Sequence, residues 1–234
     1  MKKALKKVIR ILAFARFPFL ERAMYFYCVQ RHALLIESNK AIMHLIQKIK
    51  GEVEMQLSDY HAYILYQLAR SARTIEGDVA EAGVYQGGST RLIWEAMPEK
   101  TFHVFDTFEG LPELHYIDDP NHFQNGYYAA GYEKVQSYLK KCGGNVILYK
   151  GLFPSTAQPI ENKRFSFVHL DMDLYEYTKA GLEFFYPRME RGGIIVIHDY
   201  PTARGVYKAC NEFFESKSER LITLFKGQAF VIKL

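Results

Sequence analysis

From residue 77 onward, short apolar runs alternate with segments in which hydrophobic residues recur every three or four positions. Apolar runs that lack a polar face predict buried strands, and the spaced segments predict helices. Strands are predicted at DVAEAG, FHVFD, NVILYK, FSFVHLD and GIIVIH, with helices near residues 88–97, 132–141, 175–186 and 203–216. Such alternation is typical of an α/β protein with a doubly wound, mostly parallel sheet that helices cover on both faces.

Two further apolar runs end the pattern, LITLF and QAFVIKL, and a short turn containing Gly227 separates them. A short turn between two strands predicts an antiparallel hairpin, here at the edge of the sheet. The sequence therefore predicts a Rossmann-like sheet of seven strands, of which the last two form the hairpin.

The front of the chain has a helical and basic pattern. Leu5, Val8, Ile9 and Leu12 recur at helical spacing, and basic residues occupy positions between them. Two interpretations stay open: residues 1–20 contact an anionic membrane surface, or the helix packs on the chain's own domain or on a second subunit. We favour packing by roughly two to one, because a packed helix with a charged outer face is the commoner case.

A basic helical extension is predicted over residues 1–56, with further helical structure between residues 20 and 50, and the main domain over residues 57–234. The main domain then begins with the helix LSDYHAYILYQLARSAR, for which Ser58 or Asp59 is the predicted N-cap.

Composition narrows the class of protein. The chain has 234 residues, 49% hydrophobic and 24% charged, which is ordinary for a globular domain with an appendage. Its three cysteines lack CxxC spacing, so we expect neither a disulfide framework nor a zinc site, and we expect a cytoplasmic protein. Arg10, Arg16 and Arg22 interrupt the longest apolar tract near the N-terminus, which argues against a transmembrane span or a signal peptide.

Charge is unevenly divided along the chain. Residues 1–50 hold eleven Lys and Arg against two acids and carry a formal +9, whereas the nineteen basic and twenty-four acidic residues of the remainder give −5. The basic character therefore belongs to the front segment. We expect no nucleic-acid partner, and we expect the chain to form a homo-oligomer.

A glycine-rich turn, EAGVYQGGST, follows the first predicted strand. Gly83, Gly87 and Gly88 lie in it, and the next helix is predicted to begin around Ser89, so that backbone N–H groups face a ligand. The spacing G-x-x-x-G-G differs from the G-x-G-x-x-G of dinucleotide-binding turns and argues against NAD. Asp106 ends the second strand, where an acid can accept hydrogen bonds from two ribose hydroxyls. Together these features predict a nucleoside site without a clear phosphate site.

Four polar side chains follow the fourth and fifth strands, in HLDMDLYEYT and IIVIHDYPTA. Asp171 and Asp173 share one face of an extended chain, and His198 and Asp199 end a neighbouring strand at a spacing of about 4.8 Å. We expect the four groups to converge on one pocket, where carboxylates and an imidazole suit Mg²⁺ or Mn²⁺ and an unligated carboxylate can act as general base. The alternative, that Asp173 and Asp199 cap the helices that follow them, stays open.

The segment LPELHYIDDPNHFQNGYYAAGY is long, aromatic and rich in turn residues. Segments of this kind are either functional lids or flexible excursions, and the sequence favours neither. Aromatic residues within it, such as Tyr116, Phe123, Tyr127 and Tyr128, can stack on a sugar or pack in a core, of which packing is the commoner.

Several stretches resemble the macrocin O-methyltransferase family, whose members methylate sugar hydroxyls of macrolide and aminocoumarin antibiotics with S-adenosylmethionine. The matching stretches are VAEAGVYQGGST, VFDTFEGLPE, KGLFPST, FVHLDMDLYEYT with LEFFYPRM, and GGIIVIHDY followed by GVYKACNEFF. They occur in consistent order from about residue 57 to residue 216. The pattern E-x-G-x-Y-x-G-x-S, from Glu81 to Ser89, is more loosely similar to catechol O-methyltransferases.

The resemblance implies a binding site for S-adenosylmethionine. The turn would surround the methionine part of the cofactor, with Ser89 near its carboxylate; Asp106 would hold the ribose hydroxyls, and the region around Gly151 would border the adenine. This cofactor has no pyrophosphate, which accounts for the glycine spacing. The implied cofactor-binding residues are Glu81, Gly83, Tyr85, Gly87, Ser89, Thr90, Asp106, Gly151 and Asp171.

The resemblance also implies a metal-assisted mechanism. Asp171, His198 and Asp199 would bind Mg²⁺ or Mn²⁺, and Asp173 would deprotonate a hydroxyl of a sugar or similar polyol. The antibiotic enzymes carry Asp-Asp-Tyr after the fifth strand, whereas this chain carries His198, Asp199 and Tyr200, and an imidazole in place of a carboxylate weakens Mg²⁺ binding more than Mn²⁺ binding. Two alternatives stay open: a metal-independent methyltransferase with His198 as general base, and a non-catalytic membrane-surface or scaffold protein on a methyltransferase core.

Overall fold

The computed structural model describes residues 39–234, and the predicted basic amphipathic helix lies outside them. Residues 45–234 form one compact unit. The helices are α1 (Lys40–Glu52), α2 (Asp59–Ala72), α3 (Gly88–Ala96), α4 (Tyr132–Leu139), α5 (Tyr175–Phe185) and α6 (Arg204–Phe214). The strands are β1 (Asp78–Ala82), β2 (Phe102–Asp106), β3 (Val146–Lys150), β4 (Phe165–Leu170), β5 (Met189–His198), β6 (Ile222–Leu224) and β7 (Gln228–Ile232).

The predicted strands and helices of the main domain are confirmed within a few residues. The largest difference is β5, which begins at Met189 rather than near Gly193, because a register shift lets Met189 pair with Phe165 at the start of β4. The predicted boundary between residues 56 and 57 stays a prediction. No helix within residues 39–234 is long and apolar enough to cross a membrane.

All seven of these strands form one sheet, in the order β3-β2-β1-β4-β5-β7-β6. Strands β1 to β5 run parallel, and β7 runs antiparallel to both β5 and β6. The predicted Rossmann-like sheet and its C-terminal hairpin are confirmed, with β6 at the edge. Strand order reverses between β1 and β4, and the carboxyl ends of strands at such a point flank the crevice where these sheets bind ligands.

The core explains why helices cover the sheet. β4 is buried along its whole length, as expected for a central parallel strand. Leu182 and Phe185 of α5 and Val206 and Phe214 of α6 join it in one apolar cluster, while α2 packs against α3 and β5. Each such side chain stabilises the fold by roughly 1.5–3 kcal/mol when fully buried.

Helix α2 begins with a side-chain cap. Ser58 is the N-cap, and its hydroxyl accepts a hydrogen bond from the backbone N–H of His61 at 3.2 Å. The prediction of Ser58 or Asp59 at this position is therefore confirmed for Ser58. The cap fixes where the first turn of α2 starts, and His61 lies in that turn.

The long segment between β2 and α4 is folded back on the domain. The backbone N–H of Leu111 donates to the Tyr127 carbonyl at 2.7 Å and closes the segment into a loop. Asp118 is buried, and its two carboxylate oxygens accept the backbone N–H groups of Tyr175 at 2.9 Å and His115 at 3.0 Å. This carboxylate ties the loop to the first residue of α5.

Candidate active site

The turn after β1 lies against the chain that follows β4. Gly83 has a φ of +87°, which favours glycine, and its N–H donates to the Phe105 carbonyl at 3.0 Å. A Cβ atom at this position would lie 1.8 Å from the carbonyl oxygen of Asp171. Glycine is therefore required for this close approach, which brings Asp171 next to the turn.

The carboxylate of Asp106 closes the same turn. Its Oδ2 accepts the backbone N–H groups of Val84 at 2.7 Å and Tyr85 at 2.8 Å, and its Oδ1 accepts that of Phe108 at 2.7 Å. Burial raises the pKa of Asp106, and these three hydrogen bonds oppose the rise. A carboxylate offers about four acceptor positions, so about one is left for a ligand in the cavity that Asp106 lines.

One cavity lies at the carboxyl ends of β1, β2, β4 and β5. It is lined by most of the predicted cofactor-binding residues and by all the predicted metal and base residues. These are Gly83, Tyr85, Ser89, Asp106, Gly151 and Asp171, with Asp173, His198 and Asp199. Glu81, Gly87 and Thr90, which were also predicted to bind the cofactor, do not line it.

Glu81 and Thr90 lie beneath the turn instead. Glu81 is fully buried on β1; its Oε1 lies 2.8 Å from Nδ1 of His169 on β4, and the Thr90 hydroxyl donates to Oε2. Gly87 is the N-cap of α3, and a Cβ atom there would lie 3.2 Å from the Leu139 side chain. These residues join β1, β4 and the start of α3 below the cavity.

Asp171, His198 and Asp199 converge as predicted. Nδ1 of His198 lies 3.0 Å from Oδ1 of Asp171 and 3.3 Å from Oδ1 of Asp199. Burial alone would lower the pKa of His198, but these two carboxylates raise it well above its ordinary value of 6.5. One potential ligand atom from each residue lies within 4.8 Å of the other two. Two carboxylates and an imidazole at these distances fit a divalent cation.

Asp173 lies beside this cluster and does not cap α5. The N-cap of α5 is Leu174, without a side-chain cap, and Asp118 accepts the first N–H of the helix instead. Burial raises the pKa of Asp173 well above its ordinary value of 3.8, and the charges of Asp171 and Asp199 add to the rise. A carboxylate of raised pKa is a stronger proton acceptor once ionised, which suits a general base.

Asp199 does not cap α6 either. The N-cap of this helix is Ala203, and only the backbone carbonyl of Asp199 contributes, by accepting the Ala203 N–H at 2.8 Å and the Thr202 hydroxyl at 3.1 Å. The capping alternative is therefore wrong for Asp173 and Asp199, and both residues line the cavity.

Helix α2 contributes a residue that the sequence analysis missed. Nδ1 of His61 lies 3.2 Å from Nε2 of His198. Burial, followed by the charge of His198, lowers the pKa of His61 to about 4. The two histidines are 137 positions apart, and one histidine on an amphipathic helix gives no signal of a partner. Their contact results from the packing of α2 against β5.

The segment between α1 and α2, residues 54–57, also lines the cavity. The Tyr85 hydroxyl donates to Oε2 of Glu54 at 2.8 Å. Met55 packs on the glycine turn, where a Cβ atom on Gly88 would lie 2.8 Å from its Cβ atom. Most of this segment belongs to the predicted extension, and its sequence indicates no role in a site, because it has neither periodicity nor a recognisable motif.

Aromatic residues of the long loop divide between the cavity and the core. Tyr127 and Tyr128 line the cavity, whereas Phe123 is buried in the core and Tyr116 is exposed. The rings of Tyr128 and Tyr85 meet edge to face, with centroids 5.8 Å apart. The loop therefore forms part of the wall of the cavity.

Comparison with known proteins identifies relatives along most of the domain. Residues 65–223 match the family model described as macrocin-O-methyltransferase (TylF). The chain is 34% identical over 140 residues to an 8-demethyl-8-(2,3-dimethoxy-alpha-L-rhamnosyl)-tetracenomycin-C 4'-O-methyltransferase of Streptomyces olivaceus, over 54% of each protein. It is 26% identical over 153 residues to a demethyldecarbamoylnovobiocin O-methyltransferase of Streptomyces niveus, over 59% of this chain and 58% of that protein. The chain thus spans little more than half the length of these curated relatives.

Solved structures show the same fold. The O-methyltransferase NovP superposes with a TM-score of 0.67 at 22% identity, over 77% of this chain and 82% of that one. The calicheamicin methyltransferase CalS11 superposes with a TM-score of 0.63 at 19% identity, over 83% of this chain and 92% of that one. Because the family model covers more than half of the sequence, the resemblance inferred from the motifs is confirmed, and the chain belongs to the macrocin O-methyltransferase family.

Proposed function

We propose that the chain is an S-adenosylmethionine-dependent O-methyltransferase that methylates a hydroxyl of a sugar or related polyol with the help of a divalent cation. One observation carries this proposal: the glycine turn after β1 and the cluster of Asp171, His198 and Asp199 line the same cavity. A cofactor half and an acceptor half therefore adjoin, as methyl transfer between two bound molecules requires.

The cofactor half is formed by β1, β2 and the chain after β3. Ser89 lies in the first turn of α3, where backbone N–H groups attract a carboxylate. Asp106 keeps about one acceptor position for a ribose hydroxyl rather than the two first expected. Gly151 donates its N–H to the Asp106 carbonyl at 2.9 Å, and Leu152 and Phe153 supply apolar surface there for a purine. Bound S-adenosylmethionine supplies an electrophilic methyl group.

The acceptor half is formed by the ends of β4 and β5 and by the long loop. Asp171, His198 and Asp199 would hold the cation, which stabilises negative charge on the acceptor oxygen. Asp173 takes the proton of the acceptor hydroxyl, and the raised pKa of its carboxyl group makes it a suitable acceptor. In the transfer, the acceptor oxygen would bond to the methyl carbon while the carbon–sulfur bond would break, leaving the demethylated cofactor.

The metal-independent alternative, with His198 as general base, is less well supported. The carboxylates of Asp171 and Asp199 raise the pKa of His198 well above 6.5, which favours the charged form of the ring, with a hydrogen on both nitrogens, when no cation is bound. A protonated imidazole cannot accept another proton. Turnover that survives complete chelation of divalent cations would nevertheless restore this alternative.

A sugar acceptor is proposed from the relatives. The Streptomyces olivaceus enzyme is named for 4'-O-methylation of a rhamnosyl tetracenomycin. In this chain, Tyr127 and Tyr128 line the cavity and offer aromatic faces on which a sugar can stack. Which sugar and which hydroxyl depend on contacts that the fold class does not determine.

Calorimetry with S-adenosylmethionine and its demethylated product tests the cofactor half. We expect both to bind, and absence of both would refute the proposal. For the acceptor half, release of the demethylated cofactor is measured with a panel of glycosides. We expect turnover to stop on chelation and to return with Mn²⁺, and we expect Asp171→Asn to abolish the recovery.

The remaining sequence predictions concern location and assembly. We propose a cytoplasmic homo-oligomer, with the helix of residues 1–20 packed on protein rather than on a membrane. Light scattering of the full chain measures the oligomeric state. Flotation with anionic liposomes, compared with a chain that begins near residue 50, tests the membrane and scaffold alternatives: loss of flotation on shortening would support them.

A further inference from the structure

His198 is contacted from two opposite sides. Its Nδ1 faces Asp171 and Asp199 at 3.0 Å and 3.3 Å, whereas its Nε2 lies 3.2 Å from Nδ1 of His61. The two imidazole rings are nearly perpendicular, at 82°, with centroids 5.1 Å apart. The rings therefore approach each other with two nitrogen atoms at hydrogen-bonding distance.

Only one hydrogen can lie between these two nitrogens. A cation held by Asp171 and Asp199 needs the lone pair of His198 Nδ1, so the hydrogen of a neutral His198 must sit on Nε2. Nδ1 of His61 must then accept that hydrogen, which requires a neutral His61 ring. The His61 side chain is buried, and burial disfavours the charged form of an imidazole.

We propose that His61 is a positioning residue of the cation site, which accepts the Nε2 hydrogen of His198 and so presents the Nδ1 lone pair to the cation. This inference rests on the proposed metal-assisted function. Histidine ligands of metals donate their second N–H to a supporting group, and loss of that group weakens metal binding by about 10–100-fold. Here the supporting group comes from α2, outside the sheet that carries the ligands.

The chemistry of the ligand gives a second test of this pairing, because only a histidine ligand such as His198 needs an acceptor for a second ring hydrogen. An aspartate ligand has no N–H group to place and needs no acceptor behind it. His61 is therefore required by the histidine ligand and not by the fold, and its effect should disappear when His198 is replaced by aspartate.

Titration of the full chain with Mn²⁺, followed by the electron paramagnetic resonance of the free ion, tests the inference without turnover. His61→Leu fills a similar volume without an acceptor, and we expect it to weaken Mn²⁺ binding by about 10–100-fold. His61→Asn places an amide oxygen near the position of Nδ1, and we expect it to bind within about threefold of the wild type. In a His198→Asp background, His61→Leu should change Mn²⁺ affinity by less than about threefold.

A matched control is His103→Leu. His103 is also buried, but it contacts Asp78 and Tyr149 rather than the cluster, so its loss should leave Mn²⁺ affinity unchanged. Equal affinity in the wild type and His61→Leu, or equal losses in His61→Leu and His61→Asn, would overturn the inference. Absence of Mn²⁺ binding by the wild type would overturn it too. Calorimetry with the demethylated cofactor separates this inference from the proposed function. If the demethylated cofactor binds and only the expected Mn²⁺ results fail, the role of His61 is wrong; if the cofactor does not bind either, the proposed function fails as well.

Discussion

Replacement of Glu81 tests whether this residue supports the cofactor site or contacts the cofactor. Glu81 and His169 are both fully buried, and Glu81 makes hydrogen bonds with His169 and with Thr90. Alanine at this position would leave the His169 ring nitrogen and the Thr90 hydroxyl without that partner. A buried polar group without a partner costs about 1–3 kcal/mol, and two such groups are left, so we expect Glu81→Ala to lower the free energy of unfolding by about 4 kcal/mol.

Glutamine gives the matched control. Its amide oxygen can accept from His169, and its amide nitrogen can donate to the Thr90 hydroxyl, so both contacts survive while the charge is lost. Hydrogen bonds to a charged group contribute about 1 kcal/mol more than neutral ones, so we expect Glu81→Gln to cost about 1–2 kcal/mol. Urea denaturation followed by circular dichroism measures both free energies, provided that the slope of free energy against urea concentration is the same in each variant.

Affinity for the demethylated cofactor decides the role of Glu81. Because Glu81 does not line the cavity, we expect Glu81→Gln to bind this ligand within about threefold of the wild type. A loss of tenfold or more in a folded Glu81→Gln protein would mean direct contact with the cofactor. A change of less than 1 kcal/mol in Glu81→Ala would refute the energetic reasoning, as would equal costs for the two substitutions.

Three further substitutions test other parts of the structure. Gly83→Ala places a Cβ atom 1.8 Å from the carbonyl oxygen of Asp171. We expect it to lower the free energy of unfolding, measured by urea denaturation, by roughly 3 kcal/mol or more, and to abolish cofactor binding. Wild-type affinity for the cofactor would contradict this. Glu219 is buried, and despite that burial its hydrogen bonds, chiefly with Lys233, lower its pKa below the ordinary 4.5. As pH falls through 4.5, the unfolded chain then binds more protons than the folded one. The wild type should therefore be more stable than Glu219→Gln by the full amount at neutral pH, and this difference should shrink below about pH 4.5. A difference independent of pH would refute this. His198→Asp replaces the imidazole by a third carboxylate, so competition between Mg²⁺ and bound Mn²⁺ should shift toward Mg²⁺. An unchanged preference would contradict the ligand argument.

The fold could be predicted closely because its signal is local. An apolar run such as FHVFD, which becomes β2, is too short for a typical helix and so favours a buried strand, and the short turn containing Gly227 favours a hairpin. In the glycine turn, the backbone geometry also requires particular residue types, which makes the motif recognisable in the sequence. Gly83 is an example, since no other residue fits its φ of +87° and the nearby Asp171 carbonyl.

The carboxylates of the site could be predicted from the sequence, but the residues that contact and support them could not. Asp171 and Asp199 follow neighbouring strands, and sheet geometry alone brings such residues together. The route of the chain was less predictable: Asp173 reaches the cavity through a turn with φ of +60° and not along an extended strand. His61 lies on α2 and Glu54 in the segment before that helix, and their positions depend on how these parts pack on the sheet, which no local pattern encodes.

Asp171 links the cofactor half and the acceptor half of the cavity, so a substitution in one half can change ligand binding in the other. Its backbone N–H donates to the Ala82 carbonyl at 2.9 Å, its own carbonyl adjoins Gly83, and its carboxylate contacts His198. A backbone shift at the glycine turn must therefore move a ligand of the cation site. A change behind His198, such as the loss of His61, leaves the turn in place. Substitutions at Gly83 should accordingly weaken cofactor and Mn²⁺ binding together, whereas substitutions at His61 should weaken Mn²⁺ binding alone.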